Sequence, residues 1–318
     1  MHAGCTPVAP SFRRRAARFA TVLAIAAIAA TSASALAQDI EPRSYSNAPV
    51  GTNFLIAGYA YTQGGLSIDP ALPITDDRLR TSSAVVAYAR AIDLWGKSAK
   101  VDAIVPYTWL SGSAQYAGAP VRRDVEGFGD PRLRLSVNFY GAPALSAEEF
   151  SSYRQDLIVG ASLQVSLPAG QYDAGRLVNL SGHRWWFKPE IGVSKAVDRW
   201  TVELMTSATL YTENDDFYGG HVRTQDPLYA VQSHVIYSFR SGIWTAVDAI
   251  WFTGGRTTTD GALDDNLQRN WRVGLTFALP FDARNSVKLY ASSGVSARTG
   301  NDFDLFGIAW QYRWGGGI

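Results

Sequence analysis

Apolar and polar side chains alternate with a period of two residues along several stretches of this chain. The clearest stretches are 131–140, 271–279 and 306–314, where one set of alternate positions is apolar and the other carries mostly polar or small residues. Because successive side chains of a β-strand point to opposite faces, this period predicts strands with one apolar and one polar face.

Nine further stretches fit the same interpretation less regularly, which brings the number of predicted strands to twelve. The predicted strands are 54–61, 84–95, 101–109, 131–140, 157–167, 185–195, 202–211, 229–239, 244–252, 271–279, 287–293 and 306–314. Their lengths are near the roughly 9–11 residues that a tilted strand needs to cross a bilayer. The even number is typical of single-chain bacterial membrane barrels.

The connections between the predicted strands alternate in length. Of the five connections on the predicted periplasmic side, 96–98, 197–199 and 240–242 are very short, while 141–153 and 280–285 are longer. Of the six on the other side, 63–80, 112–130, 168–183, 212–227 and 253–269 are long, and 295–302 is the exception. Short periplasmic turns and long outer loops are typical of outer-membrane barrels. The chain is therefore predicted to be all-β, with a transmembrane antiparallel β-barrel of about twelve strands over residues 51–314. Both termini are predicted to lie in the periplasm.

Aromatic side chains concentrate near the ends of the predicted strands, as in the aromatic girdles of membrane barrels. The alternative is a soluble β-sandwich or a lipocalin-like barrel with an aromatic core. A small soluble barrel must fill its interior with apolar groups, whereas the polar face predicted in this chain is rich in charge. The bacterial outer membrane is therefore the favoured location.

The first 37 residues have the three regions of a secretory signal peptide. Four arginines between positions 13 and 18 precede an apolar run over 19–30, and small residues precede a cut after Ala37, with Ala35 as an alternative. Cleavage removes four of 29 basic side chains and none of 28 acidic ones, so the formal net charge falls from +1 to −3. Residues 38–50 are then predicted to form a periplasmic N-terminal segment and 315–318 a C-terminal tail.

The composition of the mature chain excludes several classes of protein. Its nearly balanced charge does not indicate a nucleic-acid partner. Cleavage also removes Cys5, the only cysteine, so no disulfide is expected. Outside the signal peptide no apolar run is long enough for a transmembrane helix.

The sequence predicts no catalytic residue, no cofactor and no metal site. The histidines of the mature chain lack the spacing of zinc ligands. An outer-membrane hydrolase remains an alternative because Ser181 lies near His183 and Ser233 adjoins His234. Neighbouring residues on a strand point to opposite faces, however, so Ser233 and His234 are not expected to pair. The acidic outer loops are expected to be solvated, with divalent-cation binding between lipopolysaccharide groups as the alternative.

Charged residues on the polar face are the best candidates for functional residues. They are Arg90, Lys100, Asp102, Arg132, Arg134, Asp156, Lys188, Glu190, Glu203, Asp248, Arg272, Lys288 and Arg313. A twelve-strand barrel is wider than the eight-strand size that side chains fill, so these residues are expected to line a narrow lumen and set its solute preference. Alternatively, they pair with one another and close the lumen, as in a structural or adhesion barrel.

Several short motifs occur in an order that resembles a known family. They are Pro106-Tyr107, Gly127-Phe128-Gly129-Asp130-Pro131, LPAGQYD at 167–173, GGRT at 254–257, RVGLT at 272–276 and WQYRW at 310–314. Over residues 50–314 they resemble the family of outer-membrane transporters named for the meta-pathway of phenol degradation. The resemblance implies a pore-like protein for uptake of aromatic or other hydrophobic compounds, and it brings no catalytic residue.

These observations together predict an outer-membrane channel or transporter that passes small solutes. The expected partners are outer-membrane lipid and lipopolysaccharide, a small-molecule solute and the barrel insertion machinery. That machinery would recognise the aromatic closing strand, which runs from Phe306 to Trp314.

Overall fold

The computed structural model describes residues 40–65, 74–116, 119–239, 242–296, 298 and 302–317. The predicted signal peptide, with Cys5, and the last residue of the predicted tail lie outside these ranges. The described residues form strands β1 (Thr52–Gly65), β2 (Ile74–Leu94), β3 (Lys97–Tyr116), β4 (Ala119–Phe128), β5 (Arg132–Tyr140), β6 (Leu157–Ser166), β7 (Trp186–Val197), β8 (Trp200–Tyr211), β9 (Asn214–Phe217), β10 (His221–Gln225), β11 (Leu228–Ser238), β12 (Trp244–Gly254), β13 (Thr257–Thr259), β14 (Ala262–Leu263), β15 (Gln268–Pro280), β16 (Asn285–Ser296) and β17 (Asp302–Gly315), and one helix, α1 (Ala147–Ser152).

Twelve of these strands form one closed antiparallel barrel: β1, β2, β3, β5, β6, β7, β8, β11, β12, β15, β16 and β17. Neighbours in the chain are neighbours in the barrel. The barrel closes where β1 pairs with β17, from Thr52 opposite Gly315 to Gly65 opposite Asp302. Each predicted strand coincides with one barrel strand, so the predicted fold class and the number of strands are confirmed.

The two faces of each barrel strand differ in burial and in chemistry. On β12, Asp248 is 1% exposed and its neighbour Val247 is 60% exposed. On β15, Thr276 is 1% exposed and Leu275 is 57% exposed. The outward face is apolar around the barrel, and such a belt is stable in hydrocarbon rather than in water. The barrel therefore spans the outer membrane, as predicted.

Three of the predicted outer loops contain further strands. β4 pairs with the extracellular half of β3, from Tyr116 opposite Ala119 to Tyr107 opposite Phe128. β5 pairs with the periplasmic half of β3. Strands β9, β10, β13 and β14 form a separate four-stranded sheet. Predicting 112–130, 212–227 and 253–269 as loops was therefore wrong. These strands are short or polar on both faces, so they lack the apolar period by which strands are recognised.

The opposite end of the barrel has tight turns, which identifies it as the periplasmic end. Trp95 and Gly96 adopt positive φ angles of 56° and 77° between β2 and β3. Helix α1 begins with a capping box in which Ser146 and Glu149 each accept a backbone hydrogen bond from the other. Within the described ranges, no helix has the length and apolar character needed to cross a membrane.

Candidate functional site

Residues 40–46, which we call the N-terminal segment, lie inside the barrel. Their contacts reach the inner faces of β3, β5, β6, β7, β8, β11, β12 and β15. These strands make up most of the circumference, so the segment lies across the lumen. Residue 50 remains at the periplasmic rim, where its backbone N–H donates to the carbonyl of residue 145 at 2.8 Å. The prediction that residues 38–50 are periplasmic is corrected for 40–46, because their side chains find partners on the inner wall.

The N-terminal segment is folded into a compact turn. The Ser44 hydroxyl donates to the Glu41 carbonyl at 2.7 Å, and the Ser46 amide donates to the Arg43 carbonyl at 3.1 Å. Arg43 has a φ of 68°, in the left-handed region that side chains rarely adopt. The turn directs Glu41, Arg43 and Tyr45 toward different strands.

Glu41 lies among cationic side chains of the wall. Arg134 on β5 donates Nη1 to Glu41 Oε2 at 2.6 Å and Nη2 to Glu41 Oε1 at 3.3 Å, while its Nε bonds Asp102 on β3. Burial alone would raise the pKa of Glu41, but Arg134, Lys288 and Lys100 together hold that pKa well below its ordinary value. The segment therefore adds a second carboxylate to the one that Asp102 of the wall already supplies to Arg134.

Arg43 connects the segment to the other side of the lumen. Its backbone amide donates to Glu203, a fully buried carboxylate on β8, at 2.7 Å. Its guanidinium donates to the Ser238 hydroxyl at 2.6 Å and lies 4.9 Å from the centre of the Trp244 ring. Ser194 donates a second hydrogen bond to Glu203 at 2.8 Å, so this buried charge is satisfied partly by the segment.

Tyr45 packs its ring against the wall where two glycines leave room. A Cβ added at Gly192 would lie 2.3 Å from the ring, and one at Gly160 would lie 2.4 Å from it. The Tyr45 hydroxyl donates to Glu190 at 3.0 Å, and the Tyr45 carbonyl accepts from Asn138 at 2.9 Å. Tyr45 is only 1% exposed, so it is the main anchor of the segment.

A second polar cluster lies on the inner face of β11, β12 and β15. His234 Nδ1 is 2.6 Å from Asp248 Oδ1, and the Thr276 hydroxyl donates to Asp248 Oδ2 at 3.0 Å. Arg272 is 1% exposed, donates to the Phe303 carbonyl at 2.9 Å and lies 3.4 Å from the centre of the Phe303 ring. These hydrogen bonds and the ring contact all lie within the wall itself, without the N-terminal segment.

Eleven of the thirteen charged residues predicted to line the lumen lie on the inner side of the barrel. They are Lys100, Asp102, Arg132, Arg134, Lys188, Glu190, Glu203, Asp248, Arg272, Lys288 and Arg313. Lys188 and Glu190 form an ion pair at 3.7 Å, and Arg313 is at the periplasmic rim, where its Nε donates to the carbonyl of residue 283 at 2.5 Å.

Two of the predicted positions are wrong. Arg90 lies opposite Val101, which is 44% exposed on the lipid face, so Arg90 also points outward. Its strand alternates irregularly, and a shift of one residue exchanges the two faces. Asp156 precedes β6 at the rim, and its carboxylate pairs with Lys195 on the outward face.

The serine and histidine residues that raised the hydrolase alternative have other partners. The Ser181 hydroxyl accepts from the His183 backbone amide at 3.0 Å. The His183 ring stacks on Tyr172 at 4.4 Å, with Nδ1 3.4 Å from the Asn214 side chain. Ser233 faces outward, opposite to His234, as predicted for neighbours on a strand.

Sequence reasoning missed a group of arginines at the outer mouth of the lumen. Arg223 on β10 pairs with Asp264 at 3.3 Å, and Arg256 pairs with Asp265 at 3.8 Å. They come from separate outer segments, and no common sequence signal connects them. Only the fold brings them together.

Arg184, just before β7, differs from these two arginines. It makes no ion pair within the described part of the chain. Its Nη2 donates to the Gln225 side chain, and its guanidinium lies 4.6 Å from the centre of the Tyr211 ring. Burial lowers the pKa of Arg184 to about 10, and repulsion from Arg223 adds to this effect.

Comparison with known proteins supports the architecture. A model of the family described as "Putative MetA-pathway of phenol degradation" matches residues 59–312. An outer membrane channel from Pseudomonas putida F1 superposes with a TM-score of 0.75 at 20% sequence identity, and the superposition covers 87% of this chain and 100% of that one. The translocator domain of the autotransporter NalP from Neisseria meningitidis superposes with a TM-score of 0.50 at 10% identity, over 95% of this chain and 98% of that one. No curated protein sequence matches this chain.

Proposed function

Because the chain belongs to the family described as "Putative MetA-pathway of phenol degradation", we propose that this barrel is an outer-membrane channel for small solutes. The observation that carries the proposal is that a separate segment, residues 40–46, lies across a lumen whose wall is polar and charged. Side chains alone can fill the lumen of a barrel of about eight strands, whereas the twelve strands of this barrel leave room for a separate segment. A short segment attached at the rim can leave the lumen without unfolding the barrel.

The N-terminal segment acts as the plug of this channel. Most of its anchors are polar: the ion pair of Glu41, the backbone amide of Arg43 and the hydroxyl of Tyr45. Water can replace each of these partners when the segment moves out, so the cost of opening is moderate. The tether at residues 47–50 keeps the segment close to the periplasmic entrance.

The solutes are aromatic or other hydrophobic compounds, since the family description refers to phenol degradation. The eleven inward charged residues set the preference among them. When Glu41 leaves, its three cationic neighbours Lys100, Arg134 and Lys288 remain, and Asp102 still pairs with Arg134. This part of the open lumen is then positive and favours anions.

The protein carries out no chemistry on its solutes. Its partners in the envelope are the lipid and lipopolysaccharide around the barrel and the machinery that inserts it. The closing strand β17 offers that machinery a row of stacked outward rings, with Trp310 and Tyr312 centred 6.1 Å apart and Tyr312 and Trp314 centred 5.6 Å apart.

Single-channel conductance of the refolded mature chain in a planar lipid bilayer tests the channel. A triple variant, Glu41→Ser, Arg43→Ser and Tyr45→Ser, keeps the length of the segment but removes the side-chain contacts that these three residues make with the wall. We expect small or brief steps from the natural protein and larger, longer steps from the variant. The matched control changes the same residue types around helix α1, as Glu148→Ser, Tyr153→Ser and Arg154→Ser, and is expected to behave like the natural protein.

The second candidate is a structural barrel with a closed lumen, which the position of the segment also favours. The same experiment separates the two. If the natural protein and the triple variant are both shown to be inserted and neither conducts, the lumen is closed by the wall itself and the channel proposal is wrong.

A further inference from the structure

Arg184 presents, at the outer end of the lumen, a polar atom that has no partner among the described residues. Its Nη1 is buried and makes no hydrogen bond within the described part of the chain. The other edge of the guanidinium is held by Gln225 and by the Tyr211 ring. The free edge is therefore fixed in position rather than mobile.

The surface next to Arg184 is apolar. Leu228, Ile250 and Phe252 form a buried cluster on the inner faces of β11 and β12, and Tyr211 packs against it. Tyr211 thus contacts the guanidinium and the apolar cluster at the same time. A cation and an apolar wall lie side by side where a solute would enter the lumen.

We propose that Arg184 and Tyr211 form a binding site for an organic carboxylate with an apolar body. The proposal rests on the proposed channel function and names the class of solute that this function would serve. The carboxylate accepts from the free edge of Arg184, and the apolar body lies on Tyr211 and the Leu228 cluster.

The chemistry of the guanidinium selects a carboxylate rather than a neutral polar group. A water molecule can accept a hydrogen bond from Nη1, but it leaves the positive charge uncompensated. Arg223 repels that charge, so an anion between the loops relieves both the repulsion and the unmade hydrogen bond. A small inorganic anion would supply the charge but would make no apolar contact beside Tyr211.

Equilibrium dialysis of the folded protein in detergent, with radiolabelled benzoate as the probe, tests the site in the natural chain. Unlabelled benzyl alcohol and acetate serve as competitors, one without the charge and the other without the apolar body. Each is expected to compete roughly tenfold more weakly than unlabelled benzoate. Equal competition by benzyl alcohol would show that no cation is involved, and equal competition by acetate would rule out the apolar wall.

Substitution of Arg184 locates the site. Arg184→Gln is expected to weaken benzoate binding roughly tenfold or more. The matched control is Arg176→Gln, because Arg176 is an exposed arginine of the same outer loop that pairs with Asp173 at 3.9 Å. Benzoate should bind Arg176→Gln as it binds the natural protein. Unchanged binding to a folded Arg184→Gln protein would overturn the proposal.

Folding of each variant is checked by its heat-dependent mobility on gels. If Arg184→Gln does not fold, Arg184→Lys keeps the charge and loses the planar fork, and a weakening of about threefold is expected. Dialysis requires no flux through a membrane. Binding without conductance would therefore refute the channel and keep the site, whereas conductance without binding would do the reverse.

Discussion

The two ends of the lumen treat a buried arginine in opposite ways. In the periplasmic half, Arg134 is held between two carboxylates, Asp102 from the wall and Glu41 from the N-terminal segment. At the outer mouth, Arg184 lies against an aromatic ring and an amide, and no carboxylate of the described residues pairs with it. Both side chains come from the same kind of position, the inward face of a barrel strand or its continuation.

The two arginines therefore have different roles. The charge of Arg134 helps to hold the plug in the lumen, whereas the charge of Arg184 is available to a solute. Arg134 keeps both of its carboxylates only while the segment is in place, so it ties the state of the plug to the stability of the lumen. A buried cation without an acid reduces stability. A solute with a negative charge would offset this cost, which explains why Arg184 lies at the entrance of the lumen.

Arg134→Met is expected to produce the largest effect. It leaves Asp102 buried without its partner, and loss of one member of a buried ion pair typically costs about 3–5 kcal/mol. The free energy of unfolding in lipid vesicles, followed by tryptophan fluorescence in urea, measures the loss. Arg122→Met is the control, because Arg122 and Asp124 form an exposed pair on β4, and little change is expected there. A loss at Arg134 no larger than at Arg122 would contradict the role given to this network.

Gly192→Ala removes the room for Tyr45 without touching any charge. The new methyl group would lie 2.3 Å from the ring, so the ring must move, and overpacking of this kind costs about 1–3 kcal/mol. We also expect larger conductance steps, since Tyr45 anchors the plug. Gly58→Ala is the matched control on β1, where the nearest atom to an added Cβ is 3.5 Å away. Equal conductance from the two variants would mean that Tyr45 does not hold the segment.

The strands of this barrel were predictable because each has a lipid face and a lumen face. The alternation on β5, β15 and β17 reflects that environment directly, and all twelve barrel strands follow from it. Arg90 is an exception to this alternation. On β2 small and polar residues interrupt the alternation, so the face of Arg90 is determined by its pairing with Val101 rather than by its own sequence context.

The plug and the outer mouth were not predictable, for two different physical reasons. Residues 40–46 have neither an apolar period nor a length that indicates a folded unit, and their position follows from complementarity to distant strands such as β5 and β8. The arginines of the mouth lie far apart in sequence, at 184, 223 and 256. A sequence pattern describes neighbours along a strand, whereas these sites are formed by neighbours across the barrel.

Arg184→Met is expected to have an effect opposite in sign to that of Arg134→Met. It removes a buried donor without a partner and a repulsion from Arg223, so the free energy of unfolding should rise by about 1 kcal/mol in the absence of a solute. The same urea titration measures it. A loss of several kcal/mol would show that the Gln225 hydrogen bond and the Tyr211 contact outweigh the uncompensated charge of Arg184, and the contrast between the two ends of the lumen would no longer hold.

The smallest change in stability is expected from Arg90→Leu, which serves as the reference for the two other arginine variants, Arg134→Met and Arg184→Met. Arg90 is an arginine of the barrel wall that points to the lipid side near the periplasmic interface, where the cost of a charge is only about 0–1 kcal/mol. The stability should therefore change by less than about 1 kcal/mol, and the conductance steps should match those of the natural protein. If Arg90→Leu lowered the free energy of unfolding as much as Arg134→Met, the effect at Arg134 would reflect the loss of any wall arginine. An unchanged free energy of unfolding would assign that effect to the lumen face.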